Sequence, residues 1–288
     1  MVAPLVAGTR VMNESVLLDT CIAQLLANED WREPTAFTHR ADAMDRLDLY
    51  LVGAPPSDAR DRAERLIEAM EAIDRELFDH LRERIRVGEG RQALSPWIGG
   101  EALPGQHYDA LDALFAGVLA IDEPEDNPSP RPEMVFYQPT PARHIVDGIR
   151  RASIGEGDVV LDLGSGLGHV PMLVHVLTGA RTRGVELEPA YVDSATRAAL
   201  ALALAEVTFV AGDARDAELS GVDVFYLFTP FLGRVLRDVL RRIEIEAASR
   251  PLRVVVLGPC ARTFARMPWL RSDDPDPSAT DRIVVFRS

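Results

Sequence analysis

The 288-residue chain is 47% hydrophobic and 26% charged, the balance of a soluble globular protein that can bury a sizeable core in one large domain or two smaller ones. Its 45 acidic against 31 basic residues give a net charge of −14, a surface that repels phosphate backbones and counts against general nucleic-acid binding. Every basic residue is arginine, so mechanisms that need a lysine amine (P-loop NTPases, Schiff-base enzymes, protein kinases) are excluded.

Residues 1–14 lack the charged-then-apolar pattern of a signal peptide. The longest apolar run, residues 198–205, falls far short of the ~20 residues that span a bilayer. A soluble cytoplasmic protein without membrane contact is therefore expected. Cys21 and Cys260 are too few for a disulfide framework or a cysteine-rich zinc site, and no histidine pair has metal-ligand spacing, so no metal is expected.

In chain order, the first 120 residues read as helical. A helix is predicted over about 14–27. Another over 57–86 places Leu66, Met70, Ile73, Leu77, Leu81 and Ile85 at three-to-four spacing, with Ser57 and Asp58 to cap it and Gly88 and Gly90 to stop it. A third, over 108–119, turns Leu111, Leu114, Phe115 and Val118 inward. Residues 123–133 hold four prolines in eleven positions and cannot continue a helix. The expected boundary lies there, with an all-helical N-terminal domain over 1–133 and a second domain over 134–288. The helical domain offers an apolar face for a homodimer or another protein partner.

Beyond the connector, β-rich runs at 159–163, 183–186, 207–210, 222–228, 253–257 and 282–286 alternate with helix-length segments, which predicts βαβ units and a mostly parallel sheet. The last run follows a turn-rich stretch and is expected to return antiparallel.

The segment Val159-Val-Leu-Asp-Leu-Gly-Ser-Gly-Leu-Gly-His169 carries the chemistry. A buried strand runs into Gly164, Gly166 and Gly168, and a helical pattern follows. Such a turn lets backbone N–H groups approach a ligand at a helix N-terminus. The spacing Gly-x-Gly-x-Gly differs from the dinucleotide fingerprint, in which the third glycine would stand where His169 is. Asp162, two residues before the first glycine, disfavours a pyrophosphate and suits a ligand with an ammonium group. Glu186, at the end of the next strand, stands where a carboxylate grips both hydroxyls of a ribose. A ribose, a positive charge and no phosphate together describe S-adenosylmethionine.

On these residues the segment resembles motif I of the class I methyltransferases. The resemblance implies an α/β fold with a seven-stranded Rossmann-like sheet, and S-adenosylmethionine held by Asp162, Gly164, Ser165, Gly166, Gly168, Glu186 and Leu187. The stretch 207–214 is similar to the family's third-strand end, which implies that Asp213 accepts from the adenine amine and that the Ala214 backbone meets the ring. The stretch 222–231 resembles the fourth strand and the catalytic loop. Tyr137-Gln-Pro-Thr140 resembles the loop that, in the non-SET histone-lysine methyltransferases, folds over the methionine end of the cofactor, and Tyr137 and Thr140 take that role by match. Where that branch has an Asn-Asn-Phe element, this chain has Phe228-Thr-Pro-Phe231.

The implied reaction is an in-line displacement at the sulfonium methyl, with a small molecule or a protein or peptide as acceptor and no nucleic acid. Tyr137, Thr229 and Phe231 are the candidates for lining the acceptor channel, with the Thr229 hydroxyl orienting the acceptor and the Pro230 carbonyl accepting from an amine. No general base stands out. His169 and His175 read as surface or core histidines of the first helix in this domain. Two other readings are a non-catalytic S-adenosylmethionine-binding module with a partner-binding helical half, and a nicotinamide-dependent oxidoreductase, which the glycine spacing opposes.

Overall fold

The structure, a computed structural model, describes residues 7–100, 103–124, 133–135 and 137–288, with side chains from residue 16 onward. Most of the proline-rich connector lies outside the described residues. The chain forms two compact units, Met1–His80 and Leu81–Ser288.

The first unit contains α1 (Ala7–Ala27), α2 (Phe37–Leu51) and most of α3 (Asp58–Arg86). Its core gathers Leu18, Ile22, Leu25, Trp31, Leu47 and Met70. Arg40 is fully buried within it. Its Nε donates to Asp74 Oδ1 at 2.6 Å, and Nη1 donates to the carbonyls of Trp31 at 2.8 Å and Glu33 at 2.7 Å. Nη2 donates to the Pro34 carbonyl at 3.2 Å, so every nitrogen of the guanidinium has a partner, which is what allows a charge to sit in an apolar core. Removing one partner strands the other, so Asp74→Ala is expected to cost about 3–5 kcal/mol of stability in chemical denaturation.

The second unit begins with the end of α3 and continues through α4 (Gly90–Leu94), α5 (Ala110–Leu119) and α6 (Ala142–Ala152) into an alternating α/β run. Its strands are β1 (Val159–Leu163), β2 (Arg181–Glu186), β3 (Val207–Ala211), β4 (Val224–Phe228), β5 (Arg253–Leu257) and β6 (Val284–Arg287). Between them lie α7 (His169–Thr178), α8 (Pro189–Ala201), α9 (Gly233–Ala247) and α10 (Ala261–Phe264). The sheet order is β3-β2-β1-β4-β5-β6, parallel except for β6, which pairs antiparallel with β5. Leu161, Leu163, Phe225, Leu227, Val254 and Val256 bury one face of the sheet against Val239 and Ile243 of α9. Helices cover both faces, which is why the strands read as near-continuous apolar runs.

Two expectations are adjusted. All six strands read from the sequence form, but a seventh is absent among the described residues. At the outer edge of β6 the chain makes only an isolated bridge, Arg271 to Arg287. Pro268, Pro275 and Pro277 flank that point and cannot donate to a ladder. The division into units falls inside α3, not at residue 133, because α4 packs on α7 and α5 on α6. The capping box of α5 contributes: Asp112 accepts from the Asp109 N–H at 2.7 Å and from the Ala142 N–H at 2.7 Å, tying the starts of α5 and α6 together. Among the described residues, no helix is long and apolar enough to cross a membrane.

Candidate functional site

Strand order reverses between β1 and β4, and in open α/β sheets a crevice for ligands forms at that point outside the carboxyl ends of the strands. Here it holds a cavity of about 690 Å³ that runs from the end of β3 across to the β5–α10 turn. After β1 the chain turns through Gly164, Gly166 and Gly168, all at positive φ (84°, 52° and 81°), into the first turn of α7. A Cβ on Gly164 would lie 2.2 Å from the Pro230 ring, and one on Gly166 would lie 2.1 Å from the Tyr137 ring. The missing side chains therefore let the β4–α9 loop and the Tyr137 segment close directly onto the turn.

The segment leading into Tyr137 is pinned to the β4–α9 loop. Met134 bridges Phe231, the Val135 N–H donates to the Pro230 carbonyl, and Glu133 accepts from the Arg234 and Val235 N–H groups at the start of α9. Gln106 enters the cavity wall from the loop before α5. Arg143 holds that loop by donating to the carbonyls of Leu103 and Gly105, and His144 Nε2 lies 2.7 Å from the same Gly105 oxygen.

Carboxylates set the electrostatics. Asp162, 4% exposed, lies in the wall. Burial pushes its carboxyl well above the usual range, and the neighbouring Glu186 charge pushes the same way. Glu186 is held by two backbone donors, Gly166 N–H at 2.8 Å and Glu188 N–H at 3.0 Å, which fix it between the glycine turn and the start of α8. Glu188 also lines the cavity and, among the described residues, no arginine does. The Ser165 hydroxyl, buried in the wall, makes no hydrogen bond among the described residues.

Of the residues singled out from the sequence, Tyr137, Thr140, Asp162, Gly164, Ser165, Glu186, Leu187, Ala214, Thr229 and Phe231 all line this one cavity. Gly166 and Gly168 stand behind it: Tyr137 covers the first, and the Phe209 ring would lie 2.5 Å from a Cβ on the second. Asp213 is outside the wall, between Gly212 and Ala214, which are in it. Its carboxylate forms a two-point pair with Arg215, at 2.7 and 3.0 Å. Thr229, at φ 38°, donates its hydroxyl to the Leu257 carbonyl at 2.9 Å and accepts from the Cys260 N–H, so the hydroxyl braces the β4 loop against β5 and does not face an acceptor.

His169 was read as a surface or core histidine, yet it lines the cavity with Nδ1 3.3 Å from the Tyr137 hydroxyl. Burial lowers it to about 4, so the ring is neutral at physiological pH. Tyr191 was also missed; its ring centroid is 5.1 Å from that of Tyr137, in a tilted pair. The one available signal for His169 was its place directly after the third glycine, as the first residue of a helix.

No protein-family model matches the sequence, and no curated protein matches it. Solved structures resemble parts of it. An RNA methyltransferase from Salinibacter ruber, in complex with S-adenosyl-L-homocysteine, is 28% identical over 52% of this chain and 92% of its own, with a TM-score of 0.41. S-adenosylmethionine-dependent methyltransferases from Thiobacillus denitrificans and Geobacter sulfurreducens, both with S-adenosyl-L-homocysteine, are 26% and 24% identical over 40% of this chain and 47% of theirs, with TM-scores of 0.35 and 0.34. This chain thus spans most of the first and about half of the other two. None of the three is named as a histone-lysine methyltransferase.

Proposed function

We propose that the cavity binds S-adenosylmethionine and that the protein is a methyltransferase, with residues 134–288 carrying the cofactor site. The observation that carries the reading is the charge of the wall: Asp162, Glu186 and Glu188 line it and, among the described residues, no arginine does, in a chain that has no lysine. A pyrophosphate would meet repulsion there, whereas a nucleoside with a cationic tail would be attracted. The donor set fits such a ligand. Glu186 accepts from both ribose hydroxyls while its other lone pairs hold the glycine turn. Asp162 takes the ammonium end, and the Ser165 hydroxyl gains the partner it lacks within the protein. Leu187 and Ala214 flank the adenine, with the Ala214 backbone meeting its edge. Tyr137 and Thr140 close over the methionine end, the role their Tyr-x-x-Thr spacing implies.

When bound, the cofactor supplies a methyl group already activated by a sulfonium charge, so the protein's contribution is position. Phe231 and Tyr137 narrow the space beside it, and alignment of this kind is worth roughly 7–11 kcal/mol at best. Tyr137, whose hydroxyl burial pushes far above its usual value, acts as a neutral wall and not as a proton carrier. An RNA acceptor is disfavoured by the net charge of −14.

Calorimetric titration with S-adenosylmethionine and, separately, with NAD tests this. Micromolar binding of the first and no heat with the second are expected. No heat with S-adenosylmethionine, on folded protein stripped of carried-over nucleoside, would refute the assignment.

A further inference from the structure

The two ends of the cavity differ in chemistry. At the β3–β2–β1 end the wall carries Asp162, Glu186 and Glu188. At the β4–β5 end it is built from Met134, Val135, Phe228, Phe231, Leu232 and Pro259, with no charged side chain among the described residues. The polar groups near that end are already committed. The Thr229 hydroxyl donates to Leu257, the Pro230 carbonyl accepts from Val135, and Glu133 caps α9. The mouth is apolar as well. Val135 and Leu232 line the cavity and are both exposed, beside the Met134–Phe231 bridge, and Leu103 and Tyr108 are exposed on the loop that carries Gln106. Single exposed apolar residues are ordinary, but Val135 and Leu232 are continuous with the apolar wall, which marks this end as a binding surface.

We propose that the methyl acceptor is an uncharged small molecule with an apolar ring or chain, seated at the β4–β5 end with its body against Phe231, Leu232 and Val135. The proposal rests on the methyltransferase reading of the same cavity. Among the described residues, a polyanion would find no cation in the wall and a basic peptide no free carboxylate at this end. The volume suits the choice, since the cavity of about 690 Å³ is shared by cofactor and acceptor and so leaves room only for a small molecule. In the transfer, a lone pair on the acceptor's heteroatom forms the new bond to the methyl carbon as the carbon–sulfur bond breaks with both electrons left on sulfur. The positive charge passes to the acceptor atom, which releases a proton to solvent if it carries one.

The test uses full-length protein saturated with S-adenosylhomocysteine, saturation being verified first by calorimetry, and the neutral fluorescent probe N-phenyl-1-naphthylamine. Leu232→Asp and Val135→Asp place a charge at exposed positions where folding is not at stake, and Ile245→Asp, on the exposed face of α9 outside the cavity, is the control. The expected result is probe binding to the loaded protein that weakens at least tenfold in both rim variants, stays unchanged in Ile245→Asp, and is not displaced by bulk tRNA or poly-arginine. The proposal is overturned if the loaded protein takes up no probe, if the rim variants bind it as well as the wild type, or if either polymer displaces it. Absence of S-adenosylhomocysteine binding in the first step would instead refute the underlying methyltransferase reading.

Discussion

Asp162→Asn is expected to move ligand affinity and stability in opposite directions. In the free protein a carboxylate is buried beside Glu186, and both burial and that neighbour disfavour its charge. A group whose folded pKa is raised adds stability that is fully present below its unfolded value, near 3.9, and lost as pH rises through the folded value. Above the folded value the free wild type has lost that contribution, and the asparagine variant has nothing to lose. Its melting temperature should rise by roughly 2–4 °C, the shift that about 1 kcal/mol gives in a domain of 150–250 residues. S-adenosylmethionine affinity should fall ~30-fold or more, because removing one partner of a buried charge pair costs about 2–5 kcal/mol. The wild type should also lose affinity by about tenfold per pH unit once the pH drops below the raised pKa of Asp162, since the cation needs the ionised form. The variant should lack that dependence. Thermal melts and titrations from pH 5 to 8 read all three effects, and a variant that melts lower and binds normally would remove Asp162 from the site.

Glu186→Ala is expected to weaken S-adenosylmethionine binding by ~10–100-fold and to move the pH dependence set by Asp162 to lower pH, because it removes a charge that raises Asp162. Each charge-assisted hydrogen bond to a ribose hydroxyl is worth about 1.5–3 kcal/mol, and the substitution also frees the Gly166 and Glu188 N–H groups that the carboxylate now holds. Glu186→Gln keeps an acceptor oxygen and should recover part of the loss. Adenosine, which has the ribose but no ammonium, separates the two carboxylates: its affinity should respond to Glu186→Ala and not to Asp162→Asn. Equal responses to both variants would mean that the two side chains act through the shape of the turn and not through separate parts of the ligand.

The glycine turn and the six strands were legible because their signals are local. Runs of four to seven residues rich in β-formers mark the strands, and the positive φ angles at 164, 166 and 168 require the glycines that the sequence supplies. Asp162 and Glu186 could be placed because each stands at a fixed distance from that turn. What was not legible depends on distant partners. The apolar face from Leu66 to Ile85 announces a helix but not what it packs against, and the grouping of residues 81–119 with the sheet follows from contacts such as Asp112 with Ala142. Gln106 reaches the cavity only because Arg143 and His144 hold its loop from α6, thirty-odd residues later. The pairing of the Asp213 carboxylate with Arg215, two residues on, was likewise not read from the family pattern, which implied only an adenine contact.

The central claim is that Asp162 and Glu186 grip the two ends of one cationic nucleoside, and a crystal structure with S-adenosylhomocysteine tests it most directly. The account predicts both ribose hydroxyls at hydrogen-bond distance, about 2.5–3.0 Å, from the Glu186 carboxylate, and the amino group within ~3.2 Å of Asp162. A ligand with its ribose away from Glu186, or with its amino group turned from Asp162 toward solvent, would contradict it.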